Sequence, residues 1–361
     1  MAFGVSIYPG LDNTIKENLA LIRRAARLGV TRLFTSLHIP EHDKTHFAND
    51  LRSILDAARN ARLDLIADVT PESADILGLS SCEPEAFHTF GIHTLRLDDG
   101  FSASEIAKYS RSDTDTRIQL NASTISEEFL TELSKNGANF SRVEALHNFY
   151  PRTGTGLSVH ALMEKTVLLR RYGIRSGAFI ATKEGRKRSP LHDGLPTLEL
   201  HRYYSVDLTA RHLFALGLDD IFLSDSLPTN EELTAFTSAT PDQVAIRAVL
   251  ATKNDAIRPF LGPSFTARPD EARDAVRAVE SRARAKDFSN LLAPDNTVSR
   301  PFGAITLDNT NYLRYAGELQ IVKRAQPADP RINVVAHIRP EELFLIPCIR
   351  PGCKFMILLD E

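Results

Sequence analysis

The sequence has no tryptophan, only three cysteines and no long apolar run. Cys82, Cys348 and Cys353 show no zinc-like spacing with histidines, and pairing any two leaves an odd thiol, so we expect all three to be reduced. The N-terminal residues MAFGVSIYPG lack the basic segment and apolar core of a signal peptide. No later run approaches the roughly 20 apolar residues that a membrane span needs. These absences predict a cytoplasmic protein with no membrane partner.

An excess of charge of either sign is also missing. Lysine and arginine number 43 against 46 acidic residues, a net charge of -3 that predicts no nucleic-acid partner. The 361 residues exceed the roughly 250 to 300 at which single cores stop growing, so we expect one large domain and a smaller one. No GxGxxG loop follows any apolar run, which disfavours a nucleotide cofactor.

The sequence does contain a repeated unit: a short apolar run, one or two polar residues, and an amphipathic helix that ends at glycine or asparagine. The runs cover residues 3–8, 31–37, 63–67, 94–97, 117–120, 142–146, 176–180 and 220–223. Eight strand-helix units of this length match a TIM-type (β/α)8 barrel. A doubly wound open sheet remains the alternative, because periodicity predicts parallel strands without predicting closure.

Beyond residue 240 the pattern changes to short β-rich runs separated by proline, glycine, asparagine or aspartate. They cover residues 303–307, 318–322, 333–338, 343–346 and 354–359. We therefore predict a barrel domain over residues 1–240 and a small all-β domain over residues 241–361. Within the second domain, the composition of residues 270–285 predicts a helix.

The polar residues that follow barrel strands gather at the carboxyl-terminal face, where barrel enzymes place their active sites. Here they are Tyr8, His38, Asp68, Asp98, Asn121, His147, Asn148, Thr182 and Asp225. Hydrolysis of a glycosidic bond usually needs two carboxyl groups, one to protonate the leaving oxygen and one to stabilise or attack the anomeric carbon. The candidate catalytic acids are Asp98, Asp225, Asp68 and Glu199. For each of them, a structural role in a helix cap or a loop is the alternative.

A basic loop over residues 183–196 follows the seventh apolar run and contains Lys183, Arg186, Lys187 and Arg188. Barrels often bind phosphate near the loops after strands seven and eight, so a cationic loop here favours an anionic substrate. A solvated charged loop is the alternative. The sequence has no HxH or HExxH spacing, and we predict no catalytic metal.

Five longer stretches carry a family resemblance. They are FTSLHIPEHD (34–43), QLNAST (119–124), HNFYPRTGTGLS (147–158), SPLHDGLPTLELHR (189–202) and TLDNTNYLRYAGELQI (306–321). Together they resemble the MupG-like 6-phospho-N-acetylmuramidases. The resemblance implies a TIM-type barrel followed by a small cyclophilin-like β domain. It also implies cytoplasmic hydrolysis of the β-1,4 bond of N-acetylmuramic acid 6-phosphate–N-acetylglucosamine in peptidoglycan recycling, without a cofactor.

That substrate is a phosphorylated amino-sugar disaccharide with a lactyl carboxylate. We therefore predict substrate binding by His38, Asn121, His147, Asn148, Tyr150, Arg152 and Arg188. The chain departs from the family pattern at Ser189, which replaces a glycine and is less tolerant of positive φ, and over residues 260–278, which are alanine-rich. These departures leave the exact sugar open. Association of identical subunits is a separate open possibility.

Our hypothesis from the sequence is that Asp98 or Asp225 protonates the departing O4 while the other stabilises charge at the anomeric carbon. The substrate's own acetamido carbonyl is an alternative nucleophile. Two other classes of function stay open. One is a sugar-phosphate isomerase or aldolase that uses Lys183, and the other is a non-enzymatic binding protein.

Overall fold

Eight parallel strands close into a barrel in the first part of the chain. In chain order they are β1 (Ala2–Ser6), β2 (Arg32–Ser36), β3 (Asp64–Val69), β4 (Thr94–Leu97), β5 (Arg117–Asn121), β6 (Val143–Leu146), β7 (Arg175–Ile180) and β8 (Asp220–Leu223). β1 pairs with β2 on one side and with β8 on the other. The predicted TIM-type barrel is thus confirmed, and the open doubly wound sheet is wrong because the pairing of β8 with β1 closes the sheet.

The structure is a computed structural model and describes residues 1–37, 47–97 and 100–360. The predicted site residues His38 and Asp98 lie outside the described residues. The helices after the strands are α1 (Ile15–Arg27), α2 (Phe47–Asn60), α3 (Ser73–Leu77), α4 (Pro84–Phe90), α5 (Ala103–Tyr109), α6 (Glu127–Lys135), α7 (Val159–Arg171), α8 (Val206–Leu216) and α9 (Asn230–Thr237). None of the described helices is long and apolar enough to span a membrane.

Several helices begin where the sequence provides a capping box, in which a hydroxyl and a carboxylate three residues apart satisfy the first backbone N–H groups. These pairs are Thr14 with Glu17 in α1, Ser102 with Glu105 in α5, and Thr229 with Glu232 in α9. Local sequence therefore fixes where these three helices start after their strands.

The amino-terminal layer inside the barrel is charged and paired. The guanidinium of Arg32, 8 % exposed, lies 2.9 Å from Asp64, 2.7 Å from Glu144 and 3.0 Å from Asp220. Because a buried ion pair is costly to break, this cluster fixes the strand register at the base of the barrel.

The chain separates into two compact units, one of residues 1–213 and 217–239 and the other of residues 214–216 and 240–361. The second unit contains a seven-stranded mixed sheet in the order β10-β15-β9-β14-β12-β13-β11. Its strands are β9 (Val244–Leu250), β10 (Phe265–Thr266), β11 (Ala275–Arg277), β12 (Ala304–Asp308), β13 (Leu319–Val322), β14 (Ile332–Ile338) and β15 (Lys354–Leu359). Its α-helices are short, α10 (Ile257–Leu261) and α11 (Ser281–Arg284).

Two secondary-structure predictions for this unit are wrong. The helix predicted over residues 270–285 is absent because Ala275–Arg277 form β11, which pairs antiparallel with β13, and only Ser281–Arg284 are α-helical. The strand predicted over residues 343–346 lies within a 3-10 helix, Pro340–Cys348. Pro340 and Pro347 lie on either side of the predicted strand and lack the N–H group that a ladder needs. Leu345 and Ile346 are buried without strand pairing.

Candidate functional site

Polar residues meet at the carboxyl-terminal rim of the barrel because all eight strands run in one direction. Of the predicted residues that are described, Tyr8, Asp68, His147, Thr182 and Asp225 are buried, Asn121, Asn148, Tyr150, Arg188 and Glu199 are half-buried, and Arg152 is exposed. Tyr8 also belongs to the apolar floor of the rim, together with Phe34, Ile66, Leu146, Phe179, Leu195 and Phe222. The floor gives the polar side chains a rigid base.

Asp225 follows β8 and is 1 % exposed. Its Oδ1 accepts a hydrogen bond from the backbone N–H of Arg188 at 3.1 Å, and its Oδ2 accepts one from the N–H of Thr182 at 2.9 Å. Burial raises the pKa of this carboxyl to about 6, and these backbone donors, with that of Leu195, limit the rise. Asp225 therefore ties the loop after β7 to the end of β8, and its charge changes close to neutral pH.

Arg188 lies at the rim between two aromatic rings. Its guanidinium carbon is 5.0 Å from the ring centre of Tyr8 and 5.0 Å from that of Phe149. Its Nε donates to the carbonyl of Ser189 at 3.3 Å, and no carboxylate of the described residues pairs with the guanidinium. Ser189 is not among the residues with positive φ, so the departure from glycine is accommodated without left-handed backbone. The rim thus presents an oriented cation with hydrogen-bond donors to spare.

Asp68, at the end of β3, faces residues of both neighbouring strands. The register places it opposite Ser36 of β2 and Arg96 of β4. Ser36 Oγ donates to Asp68 Oδ2 at 3.3 Å, and Arg96 Nε lies 3.8 Å from Asp68 Oδ1. The same guanidinium donates to the carbonyl of Leu146 at 2.7 Å and to Asn148 Oδ1. Arg96 therefore connects the Asp68 carboxylate to the end of β6.

His147 is fully buried behind the rim. Its Nδ1 is 3.3 Å from Ser123 Oγ, its backbone N–H donates to Gly177, and its Nε2 has no hydrogen-bond partner within the described part of the chain. Burial lowers the pKa of this imidazole to about 3, and the cations of Arg96 and Lys165 act in the same direction. The ring is therefore neutral at physiological pH, and its place is behind Ser123 rather than at the open rim.

Glu199 holds two loops together. Its oxygens accept hydrogen bonds from the N–H groups of Gly154 at 2.9 Å and Gly156 at 2.8 Å, and both also accept from Arg202 at 2.7 Å. Its partner Arg202 donates in turn to the carbonyl of Tyr150 at 3.0 Å. Hydrogen bonding to Arg202 lowers the pKa of Glu199 to about 2. This carboxylate carries no proton at neutral pH, which does not suit a general acid.

Asn121, at the end of β5, lines a cavity of about 290 Å³ beside the rim. The cavity is bounded by Leu97, Gly100, Phe101, Ile106, Leu120, Thr124, Ile125, Ser126 and Phe129. Its walls come from the ends of β4 and β5 and from α5 and α6, and they combine apolar side chains with an amide and hydroxyl groups. This mixture suits a sugar ring, which presents both apolar and hydroxyl-bearing faces.

Lys183, the candidate Schiff-base lysine, has an exposed side chain. Lysines that form Schiff bases are usually activated by desolvation or by a second cation that lowers their pKa. The position therefore does not favour the isomerase or aldolase alternative.

Comparison with known families covers both units. The model of the 6-phospho-N-acetylmuramidase N-terminal part matches residues 3–238, and that of the C-terminal part matches residues 244–358. The chain belongs to the MupG family. The resemblance seen in the sequence is thereby confirmed, and membership of the MupG family supports a glycosidase.

Two solved structures resemble this MupG-family chain over its whole length. An uncharacterised B. cereus protein shares 28 % identity over 99 % of both chains with a TM-score of 0.87. A conserved protein of unknown function from Enterococcus faecalis shares 28 % identity over 100 % of this chain and 97 % of the other, with a TM-score of 0.71. A comparison with curated proteins finds no match.

The sequence pattern did not single out several residues that shape the rim. Arg96 lies between two leucines of the strand TLRL, and a charged residue inside such a short buried strand is the signal that was available. Ser36 and Ser123 are small hydroxyl residues with no distinctive spacing. Phe149 has no polar side chain that would mark it as a site residue, and its contact with Arg188 depends on how two distant loops pack.

Proposed function

We propose that this chain hydrolyses the β-1,4 bond of N-acetylmuramic acid 6-phosphate–N-acetylglucosamine, as a cytoplasmic enzyme of peptidoglycan recycling. The observation that carries the proposal is the match of 6-phospho-N-acetylmuramidase models to residues 3–238 and 244–358. The charge and placement of the rim residues give it a physical basis. A barrel rim with an oriented cation, buried carboxyl groups and an adjoining cavity suits an anionic sugar.

In this proposal Arg188 binds the 6-phosphate. A guanidinium presents planar donors that match two oxygens of one phosphate, and the rings of Tyr8 and Phe149 limit its motion before the ligand arrives. Less side-chain entropy is then lost on binding. The hydrogen bond from the Arg188 backbone N–H to Asp225 also fixes the backbone of Arg188.

We further propose that Asp68 is the carboxylate that stabilises positive charge at the anomeric carbon. It is hydrogen-bonded to Ser36 and lies beside the guanidinium of Arg96, which provides its counter-ion. Asp225 acts instead as a positioning residue, because both of its oxygens already accept backbone N–H groups. Of the two proton donors considered from the sequence, Asp98 and Asp225, this proposal keeps Asp98, and the acetamido group remains the alternative nucleophile.

Glu199 has a different part in this proposal. By binding the N–H groups of Gly154 and Gly156, it holds the loop that follows β6, where Tyr150 and Arg152 lie. Asn148 accepts a hydrogen bond from Arg96, and the His147 ring contacts the hydroxyl of Ser123. In this proposal both residues position the rim. Asn121 contributes to the wall of the adjoining cavity.

The test is to incubate the purified protein with the 6-phosphorylated and the unphosphorylated disaccharide, with and without a chelator, and to follow cleavage by mass spectrometry. We expect cleavage of the phosphorylated disaccharide, much slower cleavage of the unphosphorylated one, and no effect of the chelator. Absence of cleavage of either compound contradicts the proposal. Undetectable turnover together with tight binding of the phosphorylated disaccharide would favour a binding protein, and borohydride trapping of a lysine adduct would favour an aldolase.

A further inference from the structure

At the base of the barrel, three side chains that bind transition metals lie together. His88 is in the last turn of α4, His93 precedes β4 and Asp115 precedes β5. We propose that they form a surface site for Zn²⁺ or a similar divalent transition metal. The site lies at the amino-terminal ends of the strands, opposite the rim described above, and is independent of the proposed reaction.

The distances between the ligand atoms suit one small ion. His88 Nε2 is 2.8 Å from Asp115 Oδ1, His93 Nδ1 is 3.4 Å from the same oxygen, and all three ligand atoms lie within 4.8 Å of one another. In a tetrahedral zinc site with bonds of about 2.0–2.2 Å, ligand atoms are roughly 3.4 Å apart. The three side chains are 33 %, 47 % and 77 % exposed, so small rotations reach that spacing.

The backbone beneath the site is fixed by hydrogen bonds. The N–H of Gly91 donates to the carbonyl of His88 at 2.9 Å, which closes α4, and the N–H of Arg117 donates to the carbonyl of His93 at 2.8 Å in the barrel ladder. The two imidazole rings are nearly perpendicular, with an angle of 88° and centres 4.7 Å apart. These bonds hold the backbone of His88 and His93, and the three ligands come from separate segments and show no sequence motif.

The ligand set indicates the class of metal. Two imidazoles and one carboxylate suit Zn²⁺, Co²⁺ or Ni²⁺, whereas Mg²⁺ and Ca²⁺ prefer oxygen ligands alone. Water completes the coordination at this exposed position. A bound ion would join the end of α4 to the starts of β4 and β5, so its role is structural.

The test uses the full chain without a histidine tag, freed of metal by a chelator. Calorimetric titration with ZnCl2 should show one ion bound per chain, and Co²⁺ should give the absorption bands of a low-symmetry site. MgCl2 and CaCl2 should give neither signal. Zinc should also raise the melting temperature, because it binds the folded chain.

The variants His88→Ala, His93→Ala and Asp115→Asn should each weaken zinc binding at least tenfold, since even the outer partners of metal ligands contribute about 10- to 100-fold. The control is His160→Ala, because His160 is an exposed histidine that faces a carboxylate, Glu164, at 3.7 Å with no third ligand among the described residues. The His160→Ala variant should bind zinc as tightly as the unsubstituted chain does. No zinc binding by the unsubstituted chain, or unchanged binding by the His88 and His93 variants, overturns the proposal and leaves a hydrogen-bonded surface cluster.

Discussion

Substitution of Arg188 separates phosphate recognition from the chemical step. Two variants are informative: Arg188→Lys keeps the positive charge but loses the planar fork, and Arg188→Gln loses the charge as well. In the structure this guanidinium contacts the rings of Tyr8 and Phe149, each at 5.0 Å, and pairs with no described carboxylate. Its charge is therefore free to interact with substrate, and the variants should act mainly on binding.

The magnitude follows from the bonds that each variant removes. A hydrogen bond to a charged group contributes about 1.5–3 kcal/mol, and 1.4 kcal/mol corresponds to a factor of ten. Lysine at position 188 loses one of two parallel bonds to the phosphate, so kcat/KM for the phosphorylated disaccharide should fall about 10- to 100-fold. Glutamine should lower it further. The unphosphorylated disaccharide makes no such bonds, and its slow cleavage should change little.

The assay is steady-state kinetics on both disaccharides, with the ratio of the two kcat/KM values as the readout. Arg186→Gln is the matched control, because Arg186 lies in the same loop but its guanidinium binds Glu17 at 2.9 Å. If Arg188→Gln preserved the preference for the phosphorylated disaccharide, phosphate recognition by this residue would be refuted. A fall in the control equal to that of Arg188→Gln would point to loop structure instead.

Three further predictions concern stability and pH. Arg32→Met should lower the free energy of unfolding by about 3–5 kcal/mol in urea denaturation, because Asp64, Glu144 and Asp220 lose their buried counter-ion. Burial lowers the pKa of His212 to about 4, so only the unfolded chain binds this proton as the pH falls from about 6.5 to 4. Stability should decrease across that window, by about 1.4 kcal/mol per pH unit from this residue, and His212→Asn should make the decrease less steep. Finally, kcat/KM should fall below about pH 6, because protonation of Asp225 weakens its hydrogen bonds to the N–H groups of Arg188 and Thr182. In the Asp225→Asn variant this decrease at acidic pH should be absent.

Each of these predictions has a comparison that decides it. Arg171→Met removes an exposed pair with Glu127, 3.2 Å apart, and should change stability by no more than about 1 kcal/mol. An equally small effect of Arg32→Met would contradict a stabilising role of the buried ion pairs at the base of the barrel. If stability fell equally steeply with pH in the His212→Asn variant, the prediction for His212 would be contradicted. If kcat/KM of the Asp225→Asn variant still fell below about pH 6, the prediction for Asp225 would be contradicted.

The barrel could be predicted because its signals are local. Each strand is an apolar run that a polar residue ends, and helices begin at capping boxes such as Thr14 with Glu17. Closure could not be read from periodicity, since it depends on the pairing of β1 with β8 across the whole unit. In the second unit, alanine-rich residues 270–285 favoured a helix by propensity, but antiparallel pairing of Ala275–Arg277 with β13 overrode that preference.

The candidate site was less predictable than the fold. The sequence identified Asp68 and Asp225 as strand-end carboxyl groups, but it could not show that backbone N–H groups occupy both oxygens of Asp225. Glu199 was an equally suitable candidate acid by sequence, but in the structure its carboxylate binds Arg202 and two glycine N–H groups. Such differences arise from loop packing, which brings together residues far apart in the chain.

The most direct measurement is cleavage of N-acetylmuramic acid 6-phosphate–N-acetylglucosamine in water enriched in oxygen-18, followed by mass spectrometry of both products. Hydrolysis of the glycosidic bond adds the oxygen of water to the anomeric carbon, so we predict one heavy oxygen in N-acetylmuramic acid 6-phosphate and none in N-acetylglucosamine. Asp68→Asn should form both products at least about 100-fold more slowly, as expected for loss of a charge that acts in the transition state. Absence of products, or products without the heavy oxygen on the muramic acid, would contradict a phosphoglycosidase.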